Sequence, residues 1–180
     1  MSKTDKVTTL WIGIDPGLTG AVAWYLDRDH MGVIDTPTVT VTKGKSRKPR
    51  LVPAEMARVL HGTRTANARE IADWQLTPDE IAVALEEGIA MPRQSSTSTF
   101  ATGRGIGTWE GILAGIGWPY TLVAPATWKK ALGIPAGSDK GASRLLAARL
   151  FPELASEVCR VRDDGRAEAL LIMEWRRRQG

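Results

Sequence analysis

Residues 9–27, TLWIGIDPGLTGAVAWYLD, run an apolar stretch into Asp15, turn on Pro-Gly and Thr-Gly, and leave as a second apolar stretch. Apolar and β-branched residues on either side of a Gly/Pro turn predict two adjoining strands, at 8–14 and 20–26. The first ends on Asp15, where an acid can meet acids carried by other elements.

The rest of the chain alternates strand and helix patterns. The polar DRDHMG links the second strand to a third at 31–35, and the Thr/Val alternation of PTVTVT (37–42) either extends that strand or forms a hairpin arm. Pro53, Ala57, Leu60 and Ile71 predict a helix over 53–73, weakened in its middle by HGTRTANA. DEIAVALEE (79–87) then reads as a buried strand whose apolar run stops at Glu86, so a second strand end offers an acid. A helix over 97–117, a strand at 120–124, a helix opening at PATWKKAL and another over 138–150 follow. The last helix, 163–178, starts acidic (DDGRAE) and ends basic (WRRRQ), in the sense its dipole favours. The class is α/β, and 180 residues suit one domain over 1–180.

Cys159 is the only cysteine, which excludes an intramolecular disulfide framework and any multi-cysteine zinc site. The opening MSKTDKVTTL has no apolar signal-peptide run, and no stretch of the chain is apolar enough to cross a membrane. A soluble, cytoplasmic protein with no membrane partner is expected. The formal charge is +4, yet KGKSRKPR (43–50) alone carries five basic residues and no acidic one, leaving −1 for the remainder. Lys43, Lys45, Arg47, Lys48 and Arg50 thus read as an exposed basic loop, either solvated or able to meet nucleic-acid phosphates.

Gly103, Gly107, Gly111 and Gly115 recur every four residues in the helix predicted over 97–117. Each costs about 0.8–1.0 kcal/mol relative to alanine in a helix interior, so a closely packed neighbour is expected to offset them. Either this domain's own sheet or helices, or a second subunit across a two-fold axis, fits; a break in the helix is the third reading.

Acids converging from neighbouring strand ends repel one another, and burial raises their pKa values. A hard divalent ion resolves that conflict. Oxygen-only ligands favour Mg²⁺ or Mn²⁺, and two such ions can activate water and stabilise the leaving oxygen in phosphodiester cleavage. Asp15 and Glu86 supply two ligands, and Asp164 with Glu168, at i and i+4, share a face of the last helix. Taken singly, Asp164 reads equally as a helix cap and Glu168 as an exposed helical acid. Glu87 points to the opposite side of its strand, and Asp163 stands five residues from Glu168, so both rank lower.

IGIDPGLTGAVA, VALEEGIAMPRQ, WKKALG, DKGASRLLAARLFP and DDGRAEALLI, in this order, resemble the RuvC-like Holliday junction resolvases, in particular a phage-type branch. The resemblance covers residues 9–175. It implies a ribonuclease H-like fold, a mixed five-stranded sheet of order 3-2-1-4-5 flanked by helices. It further implies a homodimeric, two-metal-ion endonuclease acting on four-way junctions or other branched DNA, with Asp15, Glu86, Asp164 and Glu168 as ligands. Lys140 matches a basic residue that the family uses near the scissile phosphate, and Lys129 is a looser match; both also read as ordinary solvated lysines. Two positions depart from the bacterial pattern. Gly165 stands three residues before Glu168, where an acid is common, and Ile89 stands where an aromatic stacks on junction bases. The basic segment 43–50 is an insertion in the pattern. Two further readings are an actin-like ATPase or sugar-kinase relative, since DPGLTG resembles that superfamily's phosphate turn, and a junction-binding protein without catalysis.

Overall fold

The computed structural model describes residues 9–65, 76–88 and 95–180. Five strands form the main sheet: β1 (Leu10–Ile14), β2 (Ala21–Tyr25), β3 (Met31–Asp35), β6 (Ile81–Glu86) and β7 (Tyr120–Val123). Their order is β3-β2-β1-β6-β7. β1 pairs antiparallel with β2 and parallel with β6, so the sheet is mixed, in the order expected for a ribonuclease H-like fold.

Period-two alternation sorts the strand residues between two cores. Leu10, Ile12 and Ile14 of β1, with Ile81, Val83 and Leu85 of β6, pack on α1 (Pro53–Thr65) and α2 (Ser96–Gly115) through Met56, Leu60, Trp109 and Leu113. The intervening positions face α5 (Asp164–Arg178), which is buried along most of its length and packs against α4 (Lys140–Leu150). α3 (Pro125–Ala131) joins that side by burying Trp128. α5 lies so close to β1 that a β-carbon on Gly13 would stand 2.3 Å from the Ala169 carbonyl oxygen and the Met173 nitrogen. Glycine at this position therefore fixes the depth at which α5 meets the sheet.

The segment 43–50 is not an open loop. β4 (Thr38–Lys43) and β5 (Ser46–Leu51) form a separate two-stranded antiparallel ribbon closed by a turn at Gly44 and Lys45. The Thr/Val alternation supplies one strand, ending at Lys43, Lys45 sits in the turn, and Arg47, Lys48 and Arg50 lie on the other strand, which a lone ribbon leaves open to water on both faces. Pro49 is tolerated because β5 has an edge with no further partner. Only Leu51, at the foot of the ribbon, is buried.

The glycine stripe of α2 also differs from expectation within the chain. Among the described residues, a β-carbon on Gly103, Gly107, Gly111 or Gly115 would meet nothing within 4 Å, so neither the described strands nor the described helices pack there. The buried face of α2 is instead Gly105, Trp109 and Leu113. α1 accounts for the first part of the helix predicted over 53–73, and the part beyond residue 65 lies outside the described residues, as does Ile89. Among the described residues, no helix is long and apolar enough to cross a membrane.

Candidate active site

Parallel register brings two acids to one edge of the sheet. β1 and β6 pair through Ile14 and Leu85, so the next residues on each chain, Asp15 and Glu86, emerge side by side on the α5 face. The Asp15 carboxylate accepts a hydrogen bond from the Gly17 N–H (3.0 Å), which closes the DPG turn, and the chain re-enters β2 with the Asp15 N–H donating to Ala21 O (3.0 Å). Glu87 is exposed, as alternation predicts, and its N–H continues the ladder to Val123 O (2.9 Å).

Glu86 is oriented by the buried Trp128, whose indole Nε1–H donates to Glu86 Oε2 at 2.7 Å. Burial, then the charge of Asp15 and, more weakly, that of Glu168 push the Glu86 carboxyl up to about 7; the Trp128 hydrogen bond and Lys129 act in the opposite sense. The fields of Asp15, Glu86 and Glu168 therefore overlap at this end of the sheet.

Glu168 lies one turn into α5, where the Lys129 ammonium donates to its Oε1 at 2.9 Å. The same ammonium sits 4.9 Å from the Trp128 ring centroid, so neighbouring residues of α3 hold two different acids. Asp164, at the first position of α5, is paired with Arg144 of α4. Asp163 is only 3% exposed and is gripped through both carboxylate oxygens by the Arg160 guanidinium, an arrangement that lowers its pKa. It closes the 3₁₀ turn before α5 and is committed to that task. Gly165 has a physical reason to be glycine: a β-carbon there would lie 2.1 Å from Thr19 O, in the turn that follows Asp15. An acid at this position would drive α5 away from Asp15.

Among the described residues, no three acidic, histidine or cysteine side chains stand in a placement that closes around a metal ion. Lys129 and Arg144 neutralise Glu168 and Asp164 instead. The donor chemistry nevertheless fits a hard divalent ion: all four acids offer oxygen, and Glu86 carries a burial and repulsion penalty that a cation would relieve. A cleft of about 850 Å³, lined in part by Lys129, Ser143, Glu168 and the 133–139 connection, opens beside these groups. Lys140 begins α4 next to this connection, after Asp139 caps the helix by accepting from the Ala142 N–H (3.1 Å).

Trp128 and Arg144 were not singled out from the sequence. A tryptophan in a short helix reads as core, and the arginine of an amphipathic helix reads as solvated. Trp128 stands 42 residues from Glu86 in the chain, so no local pattern signalled their contact.

The chain is 32% identical over 85 residues to "Holliday junction resolvase MOC1, chloroplastic" of Chlamydomonas reinhardtii; the match covers 47% of this chain and 10% of that protein. No protein-family model matches. Two Thermus thermophilus structures, RuvC in complex with a Holliday junction substrate and RuvC alone, are 18% and 19% identical, with TM-scores of 0.50 and 0.49. Each comparison covers 96% of this chain and 97% of the other. The fold is RuvC-like. Within this RuvC-like fold, Asp15 and Glu86 stand side by side at the end of the central strand pair, while the ribbon 38–51 stands apart from the main sheet.

Proposed function

We propose that the chain is a divalent-metal-dependent endonuclease that hydrolyses phosphodiesters in Holliday junctions or other branched DNA. The observation carrying this reading is the parallel register that sets Asp15 and Glu86 side by side at adjacent strand ends, where the charges of Asp15 and, more weakly, Glu168 bear on the Glu86 carboxyl. The local similarity to a Holliday junction resolvase supports the substrate class.

Asp15, Glu86, Asp164 and Glu168 would hold two ions, Mg²⁺ or Mn²⁺. Bound divalent ions supply Lewis acidity for water activation and for the leaving oxygen. Trp128 keeps Glu86 facing the site, and Lys129 and Arg144 hold Glu168 and Asp164 in place while balancing their charge. Lys140, at the start of α4, is assigned to the scissile phosphate. The chain acts as one nuclease domain carrying a basic ribbon, and two copies act on a symmetric junction. The open glycine face of α2 is suited to that pairing.

The test is incubation of the chain with end-labelled four-way, three-way and linear DNA in Mg²⁺, Mn²⁺, Ca²⁺ or chelator. Paired symmetric nicks in a four-way junction, dependent on Mg²⁺ or Mn²⁺, are expected. Tight junction binding with no cleavage under any metal would leave a binding protein, and ATP binding without affinity for branched DNA would favour the actin-like alternative.

A further inference from the structure

A pocket of about 500 Å³ lies at the end of the sheet away from the acids. Its Tyr25 pairs with Trp11 near the start of β1, whereas Asp15 follows the end of that strand. Its Arg178 stands roughly 15 Å beyond Glu168 along α5, from a helix rise of about 1.5 Å per residue. Four arginines line the pocket: Arg28 from the β2–β3 connection, Arg149 from the end of α4, and Arg177 and Arg178 from the end of α5. Cations in the last turn of a helix suit its dipole, which accounts for three of them but not for Arg28. Glu174 and Glu153 are the acids of the lining. Glu174 is 3% exposed, and its two oxygens are already taken. It accepts from Arg177 Nε (2.8 Å) and Nη2 (3.2 Å) and from Arg178 Nε (2.7 Å). Arg177 also lies over the Tyr25 ring, 5.3 Å from its centroid.

A buried carboxylate is costly unless it is paired, and here the pairing fixes two guanidinium groups from beneath. Among the described residues, Nη1 of Arg177, both Nη atoms of Arg178 and the whole guanidinium groups of Arg28 and Arg149 keep no partner. Held groups of like charge around one concavity call for an anion, and their prior ordering lowers the cost of binding it. Guanidinium forks match carboxylates in two-point contacts, the geometry that Arg177 already adopts on Glu174. The rest of the pocket selects among anions. Met31, Leu150, Phe151 and Pro152 add an apolar lining, and the exposed Glu153 has no partner among the described residues. A row of backbone phosphates would be repelled by Glu153 and would leave the apolar lining unused, whereas a peptide offers N–H groups to the one and side chains to the other. We propose that this pocket binds a short acidic peptide segment of a partner protein, its carboxylates on Arg28, Arg149, Arg177 and Arg178 and an apolar side chain against Met31 and Leu150. This goes beyond the nuclease reading and does not depend on it.

The test reads fluorescence anisotropy of a labelled peptide that alternates aspartate with leucine, of matched Asn–Leu and Asp–Ala peptides, and of a linear DNA duplex, on the whole chain. The Asp–Leu peptide should bind, and the two matched peptides should bind at least about 10-fold more weakly, one for want of charge and the other for want of apolar contact. Arg28→Ala and Arg149→Ala should each weaken the Asp–Leu peptide roughly 10-fold or more. The ribbon variant Lys48→Ala with Arg50→Ala should leave it unchanged. Arg28 and Arg149 are exposed, so thermal melts of their variants should match wild type. No binding of the Asp–Leu peptide by wild type, or binding that responds to the ribbon variant and not to Arg28→Ala and Arg149→Ala, would overturn the proposal. Duplex affinity that falls in those two variants while peptide binding does not would also overturn it, and would make the pocket a seat for DNA backbone. Whether wild type cuts junctions decides the nuclease reading alone.

Discussion

Glu86 is held by opposed forces: the strand buries its carboxyl beside Asp15, while the Trp128 indole hydrogen bond favours its charged form. Burial and repulsion win, and the group sits at about 7 instead of the ordinary 4.5. Without metal, the folded protein therefore binds a proton here more tightly than the unfolded chain does. That stabilisation is complete below about pH 4.5 and is lost as pH rises through about 7. Glu86→Gln keeps the shape and cannot titrate. In chelator, the stability of wild type relative to Glu86→Gln should fall on the order of 3 kcal/mol across that window, read by urea denaturation. Saturating Mg²⁺ or Mn²⁺ should close the gap, because cations favour the carboxylate. A difference that is flat with pH would mean that Glu86 is not under this strain.

Elements meet at positions where a side chain cannot fit, and these positions separate glycines required by packing within the chain from those that face open space. Gly165→Ala would place a β-carbon 2.1 Å from Thr19 O, so it should destabilise by roughly 1–3 kcal/mol or more and push α5 from the acids. Gly107→Ala enters open space and should stabilise the monomer by about 0.8–1.0 kcal/mol. Thermal or denaturant melts of both variants check the contrast. The two acid-bearing strand ends were legible in the sequence because an apolar run stopping at a carboxylate is a local pattern, and strand periodicity decided between Glu86 and Glu87. Long-range pairings were not legible: Lys129 reaches Glu168 across 39 residues, and Arg144 reaches Asp164 from another helix. The ribbon read as a loop because its lysines and arginines mask the pairing that TVTVT dictates on the opposite strand. The glycine stripe of α2 was legible as a stripe, but periodicity carries no information about what faces it.

At the scale of the whole molecule, surplus positive charge is gathered on a ribbon outside the sheet, while Asp15 and Glu86 stand at the end of its central strands. Neutralising Lys43, Lys45, Arg47, Lys48 and Arg50 together should weaken junction binding and flatten its salt dependence; unchanged affinity and slope would reduce the ribbon to a solvated appendage. Light scattering of the complex should exceed the mass of the junction DNA by twice the 19.6 kDa chain, whereas an excess of one chain per junction would remove the dimer. The most direct measurement pairs binding with cleavage on the same preparations of wild type and Asp15→Asn. Junction affinity is read in chelator, and nicking of an end-labelled four-way junction is read in Mg²⁺ or Mn²⁺. We expect Asp15→Asn to fold, to bind at least as tightly because repulsion toward phosphate falls, and to lose cleavage by more than about 100-fold. Near-normal cleavage by Asp15→Asn would contradict a metal site at the end of β1.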